Sequence, residues 1–346
     1  MVRVRKEGVI LEPTKLKFES QGAFNPAVIR RGKFTHMFYR AWAKNNVSSI
    51  GYAKLDGPLN VVERWKEPIM KPEGKLERGG IEDPRIVKIN GTYYMTYVAY
   101  DGRNTRISYA TSKDLEIWEK KGPILPDITY AEAEELMRNC EDKLKDRYFL
   151  FAAYFKDTVG KNVLLWEKDA FFFPKKIGGK YALVHRITPD IQIAYFKKFS
   201  DLTIGYWRKY LRHVCSSILL QSEHWYETRN IGGGCPPIET KKGWLMIYHA
   251  VDDMDVGRTY RAGVALLDKK NPQKILGHHH EPIISPTKNY EKAGLVHNVV
   301  FPTGTAEYDG RLYIYYGGAD KVTAVASVNK DSLVDELLHS KRRYKR

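Results

Sequence analysis

The chain has 346 residues, with 57 Lys and Arg against 41 Asp and Glu, a formal charge of +16, and 23 Tyr, 13 Phe and 7 Trp. It contains no run of 18 apolar residues, which argues against a membrane-spanning helix, and its three widely spaced cysteines (Cys140, Cys215, Cys235) make neither a disulfide framework nor a zinc pattern. The charge raises nucleic acid as a partner, but the cations are dispersed, the one dense run is the tail Lys341–Arg346, and no nucleic-acid motif accompanies it. A solvated basic surface and a site for an anionic substrate are the two other readings of that charge.

From the N-terminus, Met1–Lys6 carries charge with no apolar run behind it, so no secretory leader is read there and a cytoplasmic protein is expected. A phrase then recurs five times: a proline, an apolar pair, a glycine turn and an aromatic strand. The copies are Asn25-Pro26 to Gly32, Asp83-Pro84 to Gly91, Phe173-Pro174 to Gly179, Pro236-Pro237 to Gly243, and Phe301-Pro302 to Gly310. A repeat of this length in strand-rich sequence predicts an all-β, five-bladed β-propeller, one domain spanning 1–346. Within a repeat, Tyr93–Tyr100, the Asp101-Gly102 turn and Arg106–Thr111 read as a hairpin, and Leu115–Glu119 reads as the outer strand.

The proline intervals are 58, 90, 63 and 65 residues, so about 30 residues are added between the second and third blades. Within the predicted helical insert, about residues 127–147, apolar positions 133, 136, 137, 140 and 144 follow helical spacing. Three readings follow: a helix packed on the propeller, a lid, or a homo-oligomer contact through Leu136 and Met137. Asp331–Leu338 is expected to be a short C-terminal helix.

Aligned on their prolines, the copies carry Asn25, Asp83, Phe173, Pro236 or Phe301 before the proline, of which only Asp83 is ionisable. A lone carboxylate beside Glu82 and Arg85 suits a proton donor, and equally an Asp bonded to turn amides. Twelve to fourteen residues past the proline stand Arg40, Arg186, His249 and the Tyr315-Tyr316 pair, with Lys168 before Pro174 and Arg229 before Gly232-Gly233-Gly234. Convergent cations beside glycine backbone make an anion site; the alternative is local pairing with acids. No second carboxylate occupies a proline-aligned position, and Glu227 is the nearest candidate for a hydrolytic base. His278-His279-His280 reads as a loop entering a blade exit, and no metal is expected there.

Gly80–Arg85, Gly232–Pro237, Tyr248-His249, Tyr260–Asp268 and Tyr315–Asp320, in this order, resemble glycoside hydrolase family 130, over roughly residues 20–328. The resemblance implies β-mannoside phosphorolysis or hydrolysis on a five-bladed propeller. It implies that Asp83 donates the proton through the 3-hydroxyl of the −1 mannosyl unit, and that Asn25, Arg40 and Asp320 hold that sugar. It also places Lys168, Arg186, His249 and Tyr260 around phosphate. Two positions depart from the family's habit: Lys168 stands where Arg is frequent, and Asn230 where Lys is frequent, with Arg229 adjacent. Family hydrolases lose these cations, and this chain keeps most of them. The expectation is inverting phosphorolysis of β-1,2- or β-1,4-linked manno-oligosaccharides to α-mannose 1-phosphate, with inorganic phosphate as co-substrate and no cofactor. A β-mannosidase and a non-catalytic sugar-binding propeller are the alternatives. Nucleic acid and membrane are not expected partners.

Overall fold

The computed structural model describes residues 2–254 and 257–343. It is all-β, with antiparallel strands in four-stranded groups and helices confined to connections and the C-terminal region. The first group runs Gly22–Arg31, Phe34–Trp42, Ser48–Asp56 and Asn60–Arg64; the second runs Gly80–Ile89, Thr92–Tyr100, Thr105–Ser112 and Glu119–Pro123. One parallel pairing, Ser48 with Gly80, joins these two groups into one hydrogen-bonded sheet. The third runs Lys168–Phe172, Tyr181–Ile187, Asp190–Phe196 and Ile218–Leu220. The fourth runs Asn230–Gly233, Trp244–Asp252, Thr259–Leu267 and Ile275–His278, with Ile238–Glu239 also paired to its second strand. The fifth runs Val300–Tyr308, Arg311–Gly318 and Val322–Asn329, and the chain's first strand, Arg5–Leu11, completes it by pairing with Val322–Asn329.

Hydrogen bonds tie each group to the next. Asn25 Nδ2 donates to Asp83 Oδ1 at 2.8 Å, Thr96 Oγ1 to the Ala170 carbonyl, and the Ile231 amide to the Pro189 carbonyl at 2.9 Å. The Tyr260 amide donates to the Asn298 carbonyl at 2.9 Å, and Thr303 Oγ1 to the Pro26 carbonyl at 2.8 Å, which brings the fifth group back to the first. The outer strand of the second group is Glu119–Pro123 rather than Leu115–Glu119. Asp114 Oδ1 accepts from the amides of Glu116 and Ile117, which holds that stretch as a turn.

Two helices, α1 (Tyr130–Met137) and α2 (Arg147–Val159), lie between the second and third groups. The remaining helices are α3 (Ile204–Arg212), α4 (Asn289–Lys292) and α5 (Lys330–Arg343). The Thr129 hydroxyl caps α1 by accepting from the Glu132 amide at 3.2 Å. The predicted apolar face is real, and it packs inward: Ala133, Met137, Cys140 and Leu144 are buried in one cluster with Val87 and Trp207, and Leu136 lies against it. Met137 is therefore a core residue, and Leu136 is half-buried against the same cluster. Met137→Ala should lower stability by about 2–5 kcal/mol in denaturant unfolding and leave the mass in light scattering unchanged; a drop in mass would restore the oligomer reading. The helical region runs past the predicted boundary at 147, with α2 continuing to Val159. α5 likewise extends beyond the predicted 331–338, and Tyr344–Arg346 of the basic tail lie outside the described residues.

Candidate functional site

The inner strands of the first three groups share a bulge. Ladder pairing skips from Phe24 to Ala27, from Glu82 to Arg85 and from Lys168 to Phe171. In each, one residue in the gap is left-handed: Asn25 at φ 50°, Asp83 at φ 49° and Asp169 at φ 59°. Asn and Asp tolerate this conformation better than other side chains, which explains the residue types. The three positions are thus equivalent, and the proline alignment is corrected in the later copies. Pro26 and Pro84 match Ala170, not Pro174, so Asp169 takes the place assigned to Phe173. In the fourth and fifth groups Gly232 pairs with His249 and Phe301 with Gly317, so Gly233 and Pro302 stand there. Asp83 is therefore not the only carboxylate at this level.

On the second strands three of the predicted residues share one register position. Arg40 pairs with Phe24, Arg186 with Lys168 and His249 with Gly232, one register position in three groups. Tyr315 and Tyr316 do not join them: their hydroxyls go to the Pro58 carbonyl and to Glu291. The equivalent fifth-group position is Gly317, where a Cβ would stand 1.9 Å from Asn25 Oδ1. Only glycine leaves room for the Asn25 amide there.

Around Asp83, Arg40 NH2 donates to Glu82 Oε1 at 2.7 Å, and Arg40 NH1 lies 3.6 Å from Asp83 Oδ1. Lys168 Nζ lies 3.9 Å from the other Glu82 oxygen. Glu82 is therefore the carboxylate between two candidate site cations. Arg85 NH1 donates to the Asp83 and Pro84 carbonyls at 3.0 and 3.1 Å, and its Nε donates to the Gly234 carbonyl. That guanidinium holds the bulge carrying Asp83 against the fourth group. Burial pushes the Asp320 carboxyl up to about 6, with Asp83 and Glu82 adding to the rise and Arg40 opposing it.

The second half of the site centres on Asp169, which is 4 % exposed. Arg186 NH1 lies 2.9 Å from Asp169 Oδ2, and His249 Nε2 lies 3.8 Å from it. Burial would raise the Asp169 carboxyl, but the cations, Arg186 first and then Arg85 and Lys168, outweigh it and hold it below the usual carboxylate range. Burial, with Arg186 and Arg85 adding, pushes His249 down to about 4, so it is a neutral imidazole and not the third cation expected. Arg85 NH2, Arg186 Nε, both His249 ring nitrogens and Asp169 Oδ2 are buried without a hydrogen-bond partner among the described residues. Buried polar atoms are seldom left so, and the two guanidinium donors with the single N–H of a neutral imidazole are groups that could receive an anion. Tyr260 borders it, its ring centroid 6.4 Å from that of His249. Arg229 does not face it: its NH1 is 2.5 Å from Asp253 Oδ2.

Glu227 is removed from the hydrolytic role by a second repeat. A short helical turn before four of the inner strands carries a buried glutamate as its third residue: Glu19, Glu77, Glu227 and Glu291. Each accepts from a second-strand tyrosine, Tyr39, Tyr97, Tyr248 and Tyr316 in turn. Each also meets a basic residue: Arg64 at 2.8 Å, Lys120 at 2.6 Å, His278 at 3.1 Å and Lys6 at 2.5 Å. His224, Glu227 and His278 have ligand atoms within 4.8 Å of one another, a grouping that could hold a metal ion. The position of His278, however, is that of Arg64, Lys120 and Lys6, and it is read here as the cation of the fourth lock.

Burial would lower His278, but Glu223 and Glu227 outweigh it and raise it to about 9 from 6.5. A raised folded-state value contributes stability that is full below about pH 6.5 and lost as pH rises through about 9. The melting temperature should fall by a few degrees, on the order of 1–5 °C, across that window. His278→Lys should flatten the fall; an unchanged slope in the variant would remove His278 from the lock.

A family model described as beta-1,4-mannooligosaccharide phosphorylase matches residues 7–164 and 152–339. The 1,2-beta-oligomannan phosphorylase of Thermoanaerobacter sp. (strain X514) is 36 % identical over 334 residues, covering 94 % of this chain and 95 % of that protein. The beta-1,2-mannobiose phosphorylase of the same organism is 36 % identical over 345 residues, covering 94 % and 96 %. Among solved structures, the beta-1,2-mannobiose phosphorylase of Listeria innocua in complex with beta-1,2-mannobiose superposes with a TM-score of 0.72 at 23 % identity, covering 97 % and 99 %. A structure described under glycoside hydrolases that target beta-1,2 mannosidic linkages in Candida mannan gives 0.74 at 24 % identity, covering 95 % and 94 %. At these identities the structural likeness speaks for the fold.

Proposed function

The chain belongs to glycoside hydrolase family 130, and on that premise we propose that it is an inverting phosphorylase releasing α-mannose 1-phosphate from β-linked manno-oligosaccharides. The observation that carries this is the set of unpartnered buried donors on Arg85, Arg186 and His249 around Asp169, across the bulge from Asp83. A phosphate seated there with Lys168 and Tyr260 supplies its own negative oxygen as nucleophile. No protein base is needed. The phosphate oxygen bonds to the anomeric carbon as the bond to the leaving sugar oxygen breaks, and Asp83 supplies the proton that oxygen takes up, relayed through the 3-hydroxyl as in the family. Asn25, Arg40 and Asp320 hold the mannosyl unit. Attack from the opposite face converts β to α.

The hydrolytic alternative gains a carboxylate from the corrected alignment, since Asp169 stands at the level of Asp83. That carboxylate is spent on Arg186 and kept ionised beside the donors, which suits an anchor for an anion site better than an activator of water. The ring of ties from the first group to the fifth, with Arg5–Leu11 completing the last, supports a single five-bladed propeller with its axis at the bulges. Three free cysteines accord with the reducing cytoplasm, where we place the protein. Inorganic phosphate is its only proposed co-substrate, with no further cofactor. A homo-oligomer contact, if one forms on the helical region, falls to α2, where Leu150 and Tyr154 are exposed. The first substrate to test is β-1,2-mannobiose, because the two relatives spanning nearly the whole chain are named for β-1,2 linkages. The test is to incubate it with and without phosphate, identify the sugar phosphate by phosphorus NMR, and run the reverse reaction from α-mannose 1-phosphate with a panel of acceptors. Equal release of free mannose with and without phosphate would replace this reading with the hydrolytic one.

A further inference from the structure

Among the described residues, the third group lacks the lock that the other four share. The residue before this register position is Tyr39, Tyr97, Tyr248 or Tyr316 in the other groups, but it is His185 before Arg186. The connection that would supply the turn glutamate is here occupied by α1 and α2. Instead, Glu167, the residue before Lys168, lies with its Oε2 2.6 Å from His185 Nδ1. Both atoms are buried and neither makes a hydrogen bond among the described residues, so this close approach is the one polar contact that each has there. Glu167 is 4 % exposed and His185 0 %. The other ring nitrogen, His185 Nε2, meets Tyr210 Oη of α3 at 2.8 Å, and Trp207 of the same helix packs edge-on against the ring at 5.7 Å.

Strand alternation gives this chain of contacts a use. Successive side chains in an extended segment point to opposite sides, so Glu167 and His185 face α3 while Lys168 and Arg186 face the site. The Lys168–Arg186 pairing stands alone beyond the bulge, because the ladder resumes only at Phe171–Val184. A lone pair at a strand end frays easily. The clamp ties the chain neighbour of one cation to the chain neighbour of the other.

We propose that Glu167, His185 and Tyr210 are positioning residues for the phosphate cations Lys168 and Arg186, so that α3, outside the site, sets the affinity for phosphate. This rests on the phosphate-site reading above. It goes beyond that reading in assigning the control of phosphate binding to a helix with no residue in the site.

The test uses the full-length protein with β-1,2-mannobiose and inorganic phosphate varied separately, and calorimetric binding of phosphate as a second readout. Arg186→Ala is the reference for the site itself. His185→Ala and Glu167→Ala should raise KM for phosphate by about tenfold or more, with KM for mannobiose within about twofold. Glu167→Gln, which keeps an acceptor oxygen, should restore most of the phosphate affinity. Tyr210→Phe removes one hydroxyl, keeps the ring packing and should move only KM for phosphate, by about two- to fivefold. Equal rises in both KM values, or a loss of kcat alone with a lower melting temperature, would make the clamp merely structural and overturn the proposal. Unchanged phosphate KM in folded clamp variants, with Arg186→Ala still impaired, overturns the clamp and spares the site. An Arg186→Ala enzyme with normal phosphate KM overturns both.

Discussion

Asp83→Asn is expected to cut phosphorolytic turnover by about a hundredfold or more while leaving the melting temperature nearly unchanged. The side chain is 11 % exposed and its Oδ1 already accepts from Asn25 Nδ2 at 2.8 Å. An asparagine can keep that bond by presenting its own carbonyl oxygen, so the tie between the first and second groups survives. The left-handed backbone at this position, φ 49°, also suits Asn, as Asn25 at φ 50° demonstrates in the neighbouring group. What is lost is the acidic proton. The measurement is the initial rate of sugar-phosphate formation at saturating phosphate, with thermal unfolding as the control. Near-wild-type turnover in a folded variant would sink the assignment of Asp83 as donor.

Arg186→Ala should raise KM for phosphate by about ten- to a hundredfold, the range of one or two charge-assisted hydrogen bonds, with KM for the mannoside moving far less. It should also lower stability. Asp169 is buried, its nearest cation is Arg186 at 2.9 Å, and removing that partner leaves a carboxylate in low dielectric with only the more distant His249, Arg85 and Lys168 around it. Arg186→Lys separates the two effects. It keeps the charge near Asp169 and should recover stability, but it presents no planar fork and should recover only part of the phosphate affinity. If both variants bind phosphate normally, the anion site lies elsewhere.

The residues legible before folding were those whose chemistry is local. Asp83 stood out because a carboxylate before proline in a repeat is rare, and Arg40, Arg186 and His249 because cations recurred one turn and half a strand past the prolines. Asp169 was missed because proline marks a conformation that other residues also adopt: Ala170 fills the place of Pro26 and Pro84 in the third group. Counting 16 to 18 residues back from Arg40 and Arg186 along the hairpin reaches Phe24 and Lys168, and the next residue is the bulge position, which would have found it. The glutamate locks carried their own signal, since Glu19, Glu77 and Glu227 stand six residues before Asn25, Asp83 and Gly233.

By itself the sequence determined the all-β class, the strand repeat, the helix after the second repeat and most of the ionisable residues at the site, because periodicity, turn residues and charge are properties of short segments. Only the tertiary structure decided which way each side chain faces and which charges survive. It buried Met137 while leaving Leu136 half-buried, and gave Tyr316 to Glu291, not to the site. It sent Arg229 to Asp253 and made His249 a neutral donor. These outcomes depend on burial and on partners from distant strands, and a carboxylate or imidazole has no fixed charge until the fold has set its solvent exposure and its neighbours.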